Sequence, residues 1–130
     1  MISIVIVNYN SGAHLAAAVV SILRQDHPAS ELIVVDNHSS DHSRSTLRAL
    51  DLPPSLRLQI IAQRQNCGFA HGCNIGLAAA EGSLMIMLNP DSEMRPDSLG
   101  LLALALEEFP EAGMAGPRLV NPDGSEQRGG

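Results

Sequence analysis

The sequence predicts an α/β domain with a mostly parallel, Rossmann-like sheet flanked by helices. Two observations predict it. Leu84-Met85-Ile86-Met87-Leu88 is an apolar run that gives way abruptly to Asn89-Pro90-Asp91, and Leu32-Ile33-Val34-Val35 stops in the same way at Asp36. Uninterrupted apolar runs of this length mark strands buried on both faces, and open parallel sheets bind ligands just beyond the carboxyl ends of such strands. The second observation is alternation. Strand-like and helix-like segments follow one another from the first residue, the order that gives parallel strands joined by right-handed crossovers. Asp36 and Asp91 thereby reach one edge of the sheet, where the pair suggests a site for a polar ligand with a divalent metal.

Each element has its own justification. Residues 2–9 form an apolar, β-branched run, a buried strand. Ser11 can cap a helix over 13–25 that carries Leu15, Val19, Ile22 and Leu23 on one face, and Pro28 ends it. Residues 31–36 are the second strand, and Asn37-His38-Ser39-Ser40-Asp41 is polar turn chemistry. A short helix over 43–50 closes at Pro53 and Pro54. Residues 56–62 are a third strand, and 68–80 a loop entering a helix, with Gly82 as its stop. Residues 83–88 are the fourth strand. Pro96 suits the first turn of a helix to 108 with Leu99, Leu102, Ala103 and Leu106 facing inward. Residues 113–120 read as a further strand, and Asn121-Pro122-Asp123-Gly124 as a turn. Residues 1–124 make one domain, and 125–130 a loose polar tail.

Composition removes several function classes. The chain has 130 residues, 45% of them hydrophobic, with one Tyr, two Phe and no Trp, so the core is aliphatic. All eight basic residues are Arg, scattered through a chain of net charge −6. No basic patch with interleaved aromatics exists, which disfavours nucleic acid as a partner. The absence of Lys excludes a P-loop lysine and a Schiff-base lysine. No apolar run approaches the ~18 residues that span a bilayer, and the first residues lack the basic region of a signal peptide. Cytoplasmic residence is therefore expected, with reduced thiols at Cys67 and Cys73.

Four loops carry the candidate chemistry. Asn8-Tyr9-Asn10-Ser11-Gly12 follows a strand and opens a helix, where free backbone N–H groups attract anions; the glycine spacing of a dinucleotide fingerprint is missing. Asp36 can accept from a ribose hydroxyl or a pyrimidine N–H, or else cap the turn after it; Asp41 fits the capping role better. In the segment from Asn66 to Gly76, three glycines let a ligand or another backbone come close, and Asn66 and Asn74 supply amide donors and acceptors. Cys67, His71 and Cys73 in this segment match no standard zinc spacing. Pro90 fixes the backbone so that Asp91 is aimed outward, a hard oxygen ligand suited to Mg²⁺ or Mn²⁺.

In order and spacing these motifs resemble the family 2 glycosyltransferases, particularly rhamnosyltransferase-like members. The matching pieces are Val5-Ile6-Val7-Asn8-Tyr9-Asn10, Ile33-Val34-Val35-Asp36-Asn37 with Ser39 to Asp41, and Asn66 to Gly76. Leu88-Asn89-Pro90-Asp91 and Gly116-Pro117-Arg118-Leu119-Val120-Asn121-Pro122-Asp123-Gly124 complete them. The resemblance covers almost the whole chain and implies a GT-A fold whose N-terminal half binds a nucleotide-diphosphate sugar. It implies Asn8 and Tyr9 in the base pocket and Asp36 on the base or ribose. Asn66, Gly68, Phe69 and Asn74 would line the nucleotide and sugar cleft. Asp91 would be the last acid of a DxD motif, holding a Mg or Mn cation on the diphosphate. Asn89 stands where that motif has its first acid, so metal affinity depends on oxygens brought by the donor.

The family's acceptor site and general base lie further along a longer catalytic domain, so no base is assigned. The chain thus reads as the donor-binding half of an inverting glycosyltransferase, an excised or truncated piece. Its full enzyme would serve a saccharide or lipid-linked acceptor in cell-surface polysaccharide synthesis. A peripheral position at the inner face of the membrane and homo-oligomer formation through bare aliphatic surface are further expectations. Two other classes compete: a noncatalytic nucleotide-binding or assembly module, and a nucleotidyltransferase. The latter would want a glycine-rich loop with a basic residue after the first strand, which residues 8–12 lack.

Overall fold

The computed structural model describes residues 1–127. Its described elements run β1 (Ile2–Asn8), α1 (His14–Leu23), β2 (Glu31–Asp36), α2 (Ser43–Arg48), β3 (Arg57–Ala62), α3 (Phe69–Ala79), β4 (Leu84–Leu88) and α4 (Ser98–Glu108). The strands form a parallel sheet in the order β3-β2-β1-β4. β1 and β2 are buried along their whole length, as the sequence predicts, whereas the run 84–88, expected to be buried on both faces, is the edge strand β4 and leaves Met85 and Met87 exposed on one side. In register, Asn8 lies beside Asp36, and Ile6 beside Leu88.

Side-chain alternation along the strands sorts the core into two layers. Ile2, Ile4 and Ile6 of β1 and Leu32 and Val34 of β2 pack with Leu15, Val19 and Ile22 of α1, Leu47 of α2 and Leu99 of α4. Val5, Ile33 and Val35 point the other way and meet Ile75 and Ala79 of α3. This division follows from handedness. The chain steps outward from β1 through β2 to β3, with α1 and α2 on one face. It then returns past β1 to β4, and a right-handed crossover in that direction puts α3 on the opposite face. The reversal makes the gap between β1 and β4 a topological switch point, where the loops after the two strands diverge and leave a crevice.

Glycine spacing explains how closely α3 seats. A Cβ on Gly72 would stand 2.7 Å from Val7 Cγ1, and one on Gly76 would collide with Val5 Cγ1. Two glycines four residues apart therefore let the helix backbone lie directly on β1. These two glycines serve the sheet.

Three local expectations are corrected. Ser11 does not cap α1 with its side chain: its hydroxyl donates to Asn8 Oδ1, and its carbonyl accepts the His14 N–H at 3.0 Å. Gly82 does not stop α3, which ends at Ala79. It is required by close approach, since an added Cβ would lie 2.6 Å from Ser3 Oγ and 2.8 Å from Ser3 N. Residues 113–120 form no strand among the described residues. Gly113, Gly116 and Pro117 interrupt the run, and pairing is confined to an antiparallel bridge between Val120 and Glu126 around the turn at 121–124. Residues 125–127 are the return arm of that hairpin, and the expected tail beyond them, 128–130, lies outside the described residues.

Candidate functional site

A cleft of about 550 Å³ opens at the switch point, lined by Val7, Tyr9, Ser11, His14, Asn37, Asn66, Gly68, Phe69, Asn89, Pro90 and Asp91. Every strand end contributes to it, directly or through its loop. Of the eight residues singled out from the sequence, five are brought together here: Tyr9, Asn66, Gly68, Phe69 and Asp91. Tyr9 and Phe69 are half exposed, at 51% and 56%. Aromatic side chains are scarce in this chain, and two of its three stand on these walls. Flat apolar faces beside amide groups suit a heterocyclic base.

Asn8, Asp36 and Asn74 do not line the cleft. Asn74 is exposed on α3. Asn8 and Asp36 are wholly buried beneath the loops. Asn8 Nδ2 donates to Asp36 Oδ1 at 2.7 Å, and has Ser43 Oγ at 2.9 Å and Ser39 Oγ at 3.1 Å. Asp36 Oδ2 accepts the Ser39 N–H at 3.1 Å and lies 3.4 Å from Arg44 Nε. The pair ties the loop after β1 to the loop after β2. A second tie runs through Asp41, whose Oδ2 accepts the Gly12 N–H at 2.7 Å while Oδ1 accepts from the Ser43 hydroxyl at 2.6 Å and N–H at 3.1 Å. The Ser43 hydroxyl, ahead of the smaller opposing effect of burial, holds the Asp41 carboxyl below its ordinary value, and the Gly12 and Ser43 N–H groups add to it.

The neighbour of Asp36 turns toward the cleft. Asn37 is 2% exposed, its Nδ2 donates to the Gly68 carbonyl at 3.0 Å, and its Oδ1 has no partner among the described residues. A buried amide oxygen without a donor is costly, and one lining a cleft is placed to accept from a ligand. Alternation along the strand carries the signal for it. Ile33 and Val35 face α3, so Asn37 continues their side, whereas Asp36 continues that of Leu32 and Val34. Val7 of β1 and Tyr9 just past its end share this parity, and the sequence does not single out Val7, Ser11, His14 or Asn37 as site residues.

Asp91 is exposed at the far wall, within the turn that the Ser92 N–H closes by donating to the Asn89 carbonyl at 3.1 Å. Among the described residues no group of three or more His, Cys, Asp or Glu comes together to hold a metal. One carboxylate with an adjoining amide is a hard-oxygen set of the kind that Mg²⁺ or Mn²⁺ shares with phosphate oxygens of a ligand. The donor set fits a cation that arrives with the ligand. No described helix is long and apolar enough to cross a membrane.

Comparisons with known proteins agree with this fold. Residues 3–129 match the model of the glycosyl transferase family 2. An uncharacterized glycosyltransferase of Nostoc sp. is 35% identical over 98 residues, covering 75% of this chain and 30% of that protein. The N-acetylglucosaminyl-diphospho-decaprenol L-rhamnosyltransferase of Mycobacterium tuberculosis is 30% identical over 137 residues, covering 96% of this chain and 43% of that one. Among solved structures, the mannosyltransferase PcManGT of Pyrobaculum calidifontis, in complex with GDP-Man and Mn²⁺, superposes with a TM-score of 0.75 at 26% identity. That match covers 81% of this chain and 32% of the other. The chain spans less than half the length of each of these proteins, and its parallel sheet and helices are those of the GT-A fold. It belongs to the family 2 glycosyltransferases.

Proposed function

We propose that this chain is the donor-binding part of an inverting glycosyltransferase, taking a nucleotide-diphosphate sugar for transfer to a saccharide or lipid-linked acceptor in cell-surface polysaccharide synthesis. The observation that carries the reading is the cleft at the β1/β4 switch point, which sets two aromatic side chains and an unpartnered amide opposite a carboxylate. Tyr9 and Phe69 would hold the nucleoside, with Asn37 Oδ1 accepting from a base or ribose donor. Asn8 and Asp36 would act from behind, fixing the loops that carry Tyr9 and Asn37. Asn66 and Gly68 would border the sugar and diphosphate. Asp91, with Asn89 beside it, would hold a divalent cation, which when bound neutralises charge gathering on the departing diphosphate. The relatives' names support the sugar-transfer chemistry, and the rhamnosyltransferase name a lipid-linked acceptor.

In the reaction, the acceptor hydroxyl would form a bond to the anomeric carbon as the bond to the diphosphate oxygen breaks, giving inversion. The proton of that hydroxyl would pass to a base, for which no residue of this chain is assigned. The test is calorimetry of the chain with UDP-, GDP- and dTDP-sugars, with and without Mn²⁺. Saturable binding of one donor strengthened by Mn²⁺ is expected. Absence of binding to all three in either condition would overturn the reading.

A further inference from the structure

A nucleoside diphosphate brings concentrated negative charge into a cleft whose lining contains one acidic side chain, Asp91, and one basic one, His14. None of the seven arginines among the described residues lines it. Arg44 is turned to Asp36, and Arg57 is engaged by Glu31 and Glu81 at the opposite edge of the sheet. Arg118 pairs with Glu126 in the hairpin at 3.5 Å. Among the described residues His14 is the basic side chain of the lining, with a ring N–H to offer the anion.

Its position is fixed from behind. Gly12, at φ +56°, makes the turn after β1, Asp41 holds its N–H, and the His14 N–H closes onto the Ser11 carbonyl. The ring therefore begins α1, at the end of the helix where unpaired N–H groups and the macrodipole favour negative charge. Asn37, buried with its unpartnered oxygen on the same cleft, independently marks the space as one built for a ligand.

We propose that His14 is a diphosphate-binding residue, its imidazole donating to a phosphate oxygen of the bound nucleotide-sugar. This rests on the donor-binding reading. His14 gives the cleft a preference for the diphosphate over the bare nucleoside that persists without metal, while the cation at Asp91 adds a separate, metal-dependent share.

The experiment is calorimetry of the wild-type chain, His14→Ala and His14→Gln with UDP, GDP and dTDP and with uridine, guanosine and thymidine, in Mn²⁺ and again in EDTA. His14 is exposed, so both variants should melt close to the wild type. The expected result is a roughly tenfold or greater loss of diphosphate affinity in His14→Ala, in both Mn²⁺ and EDTA, the size expected for a hydrogen bond to a charged group. Nucleoside affinity should be unchanged, and the amide donor of His14→Gln should restore part of the loss. A diphosphate-to-nucleoside ratio equal to that of the wild type would overturn the role of His14 alone. Failure of the wild-type chain to bind any of the three diphosphates would overturn the donor-binding reading and this role with it.

Discussion

Asn8 and Asp36 lie side by side at the carboxyl edge of the sheet, joined by a 2.7 Å hydrogen bond between two side chains that no solvent reaches. They make the loops over β1 and β2 one unit, and the cleft is built on top of that unit.

Asp36→Ala should therefore act first on stability. It leaves the buried Ser39 N–H without its acceptor and takes one of three from Asn8 Nδ2, and a buried donor left unpaired costs about 1–3 kcal/mol. Urea denaturation should show a fall within this range, with nucleotide affinity reduced as a consequence of loosened loops. Full stability combined with lost affinity would instead make Asp36 a ligand contact.

Asn37→Ala should have the opposite profile. Loss of the bond to the Gly68 carbonyl costs stability about 1 kcal/mol, while nucleoside affinity should fall roughly fivefold to tenfold as the accepting oxygen disappears. Calorimetry with uridine, guanosine and thymidine measures the second effect, and thermal denaturation the first.

Asp91→Ala should abolish the strengthening of diphosphate binding by Mn²⁺ and leave nucleoside affinity unchanged. Asp91 is exposed and bears on no core contact, so the melting temperature should hold. If Mn²⁺ still strengthens binding, another group holds the cation, and Glu93 and Asp97 are the nearest acids along the chain.

Gly76→Ala should destabilise in spite of alanine's better helix propensity. Propensity favours the change by about 1 kcal/mol, but the added methyl meets the Val5 side chain in a packed layer, where overpacking costs about 1–3 kcal/mol. A net loss of stability in urea is expected, and a gain would show that α3 can lift from β1 without cost.

Acid should unfold the chain partly through Glu31. Burial pushes its carboxyl up, but the Ser3 hydroxyl, the Glu81 N–H and Arg57 together outweigh that and hold it below its ordinary value. A depressed folded-state value means that the stabilisation is complete above the unfolded value of about 4.3 and is lost as pH falls through the folded one. Asp41 adds to the same acid loss. Glu31→Gln should flatten the fall in stability below about pH 4.5, read by denaturation at a series of pH values.

The parallel sheet and a cleft beyond its carboxyl edge were legible because hydrophobic runs and their polar ends declare parallel strands; the strand order, and with it the switch point between β1 and β4, comes from the structure. Asp36 shows where legibility failed. A carboxylate at a strand end admits two readings, a ligand contact or a cap of the next turn; parity with Leu32 and Val34 turns Asp36 under α1 and α2, where it accepts the Ser39 N–H, and the cleft receives Asn37. Parity is present in the sequence, but which side the cleft occupies depends on where α3 crosses. Gly72 and Gly76 likewise showed that something comes close without showing that it is β1. His14 was invisible as a site residue, since it looks like any exposed helical residue until the turn at Gly12 is drawn. The run at 113–120 misled because its apolar content outweighed the two glycines and the proline within it.

The two ties under the cleft, Asn8 with Asp36 and Gly12 with Asp41, divide recognition into a fixed floor and free rims. The floor forms when the domain folds, so its ordering entropy is already spent before any ligand arrives. Only exposed side chains such as Tyr9, Phe69, His14 and Asp91 remain to be immobilised, at about 0.5–1.5 kcal/mol for each rotamer-rich group. Nucleoside capture should accordingly proceed without backbone rearrangement, at an association rate insensitive to substitutions on the rims, which would alter residence time instead.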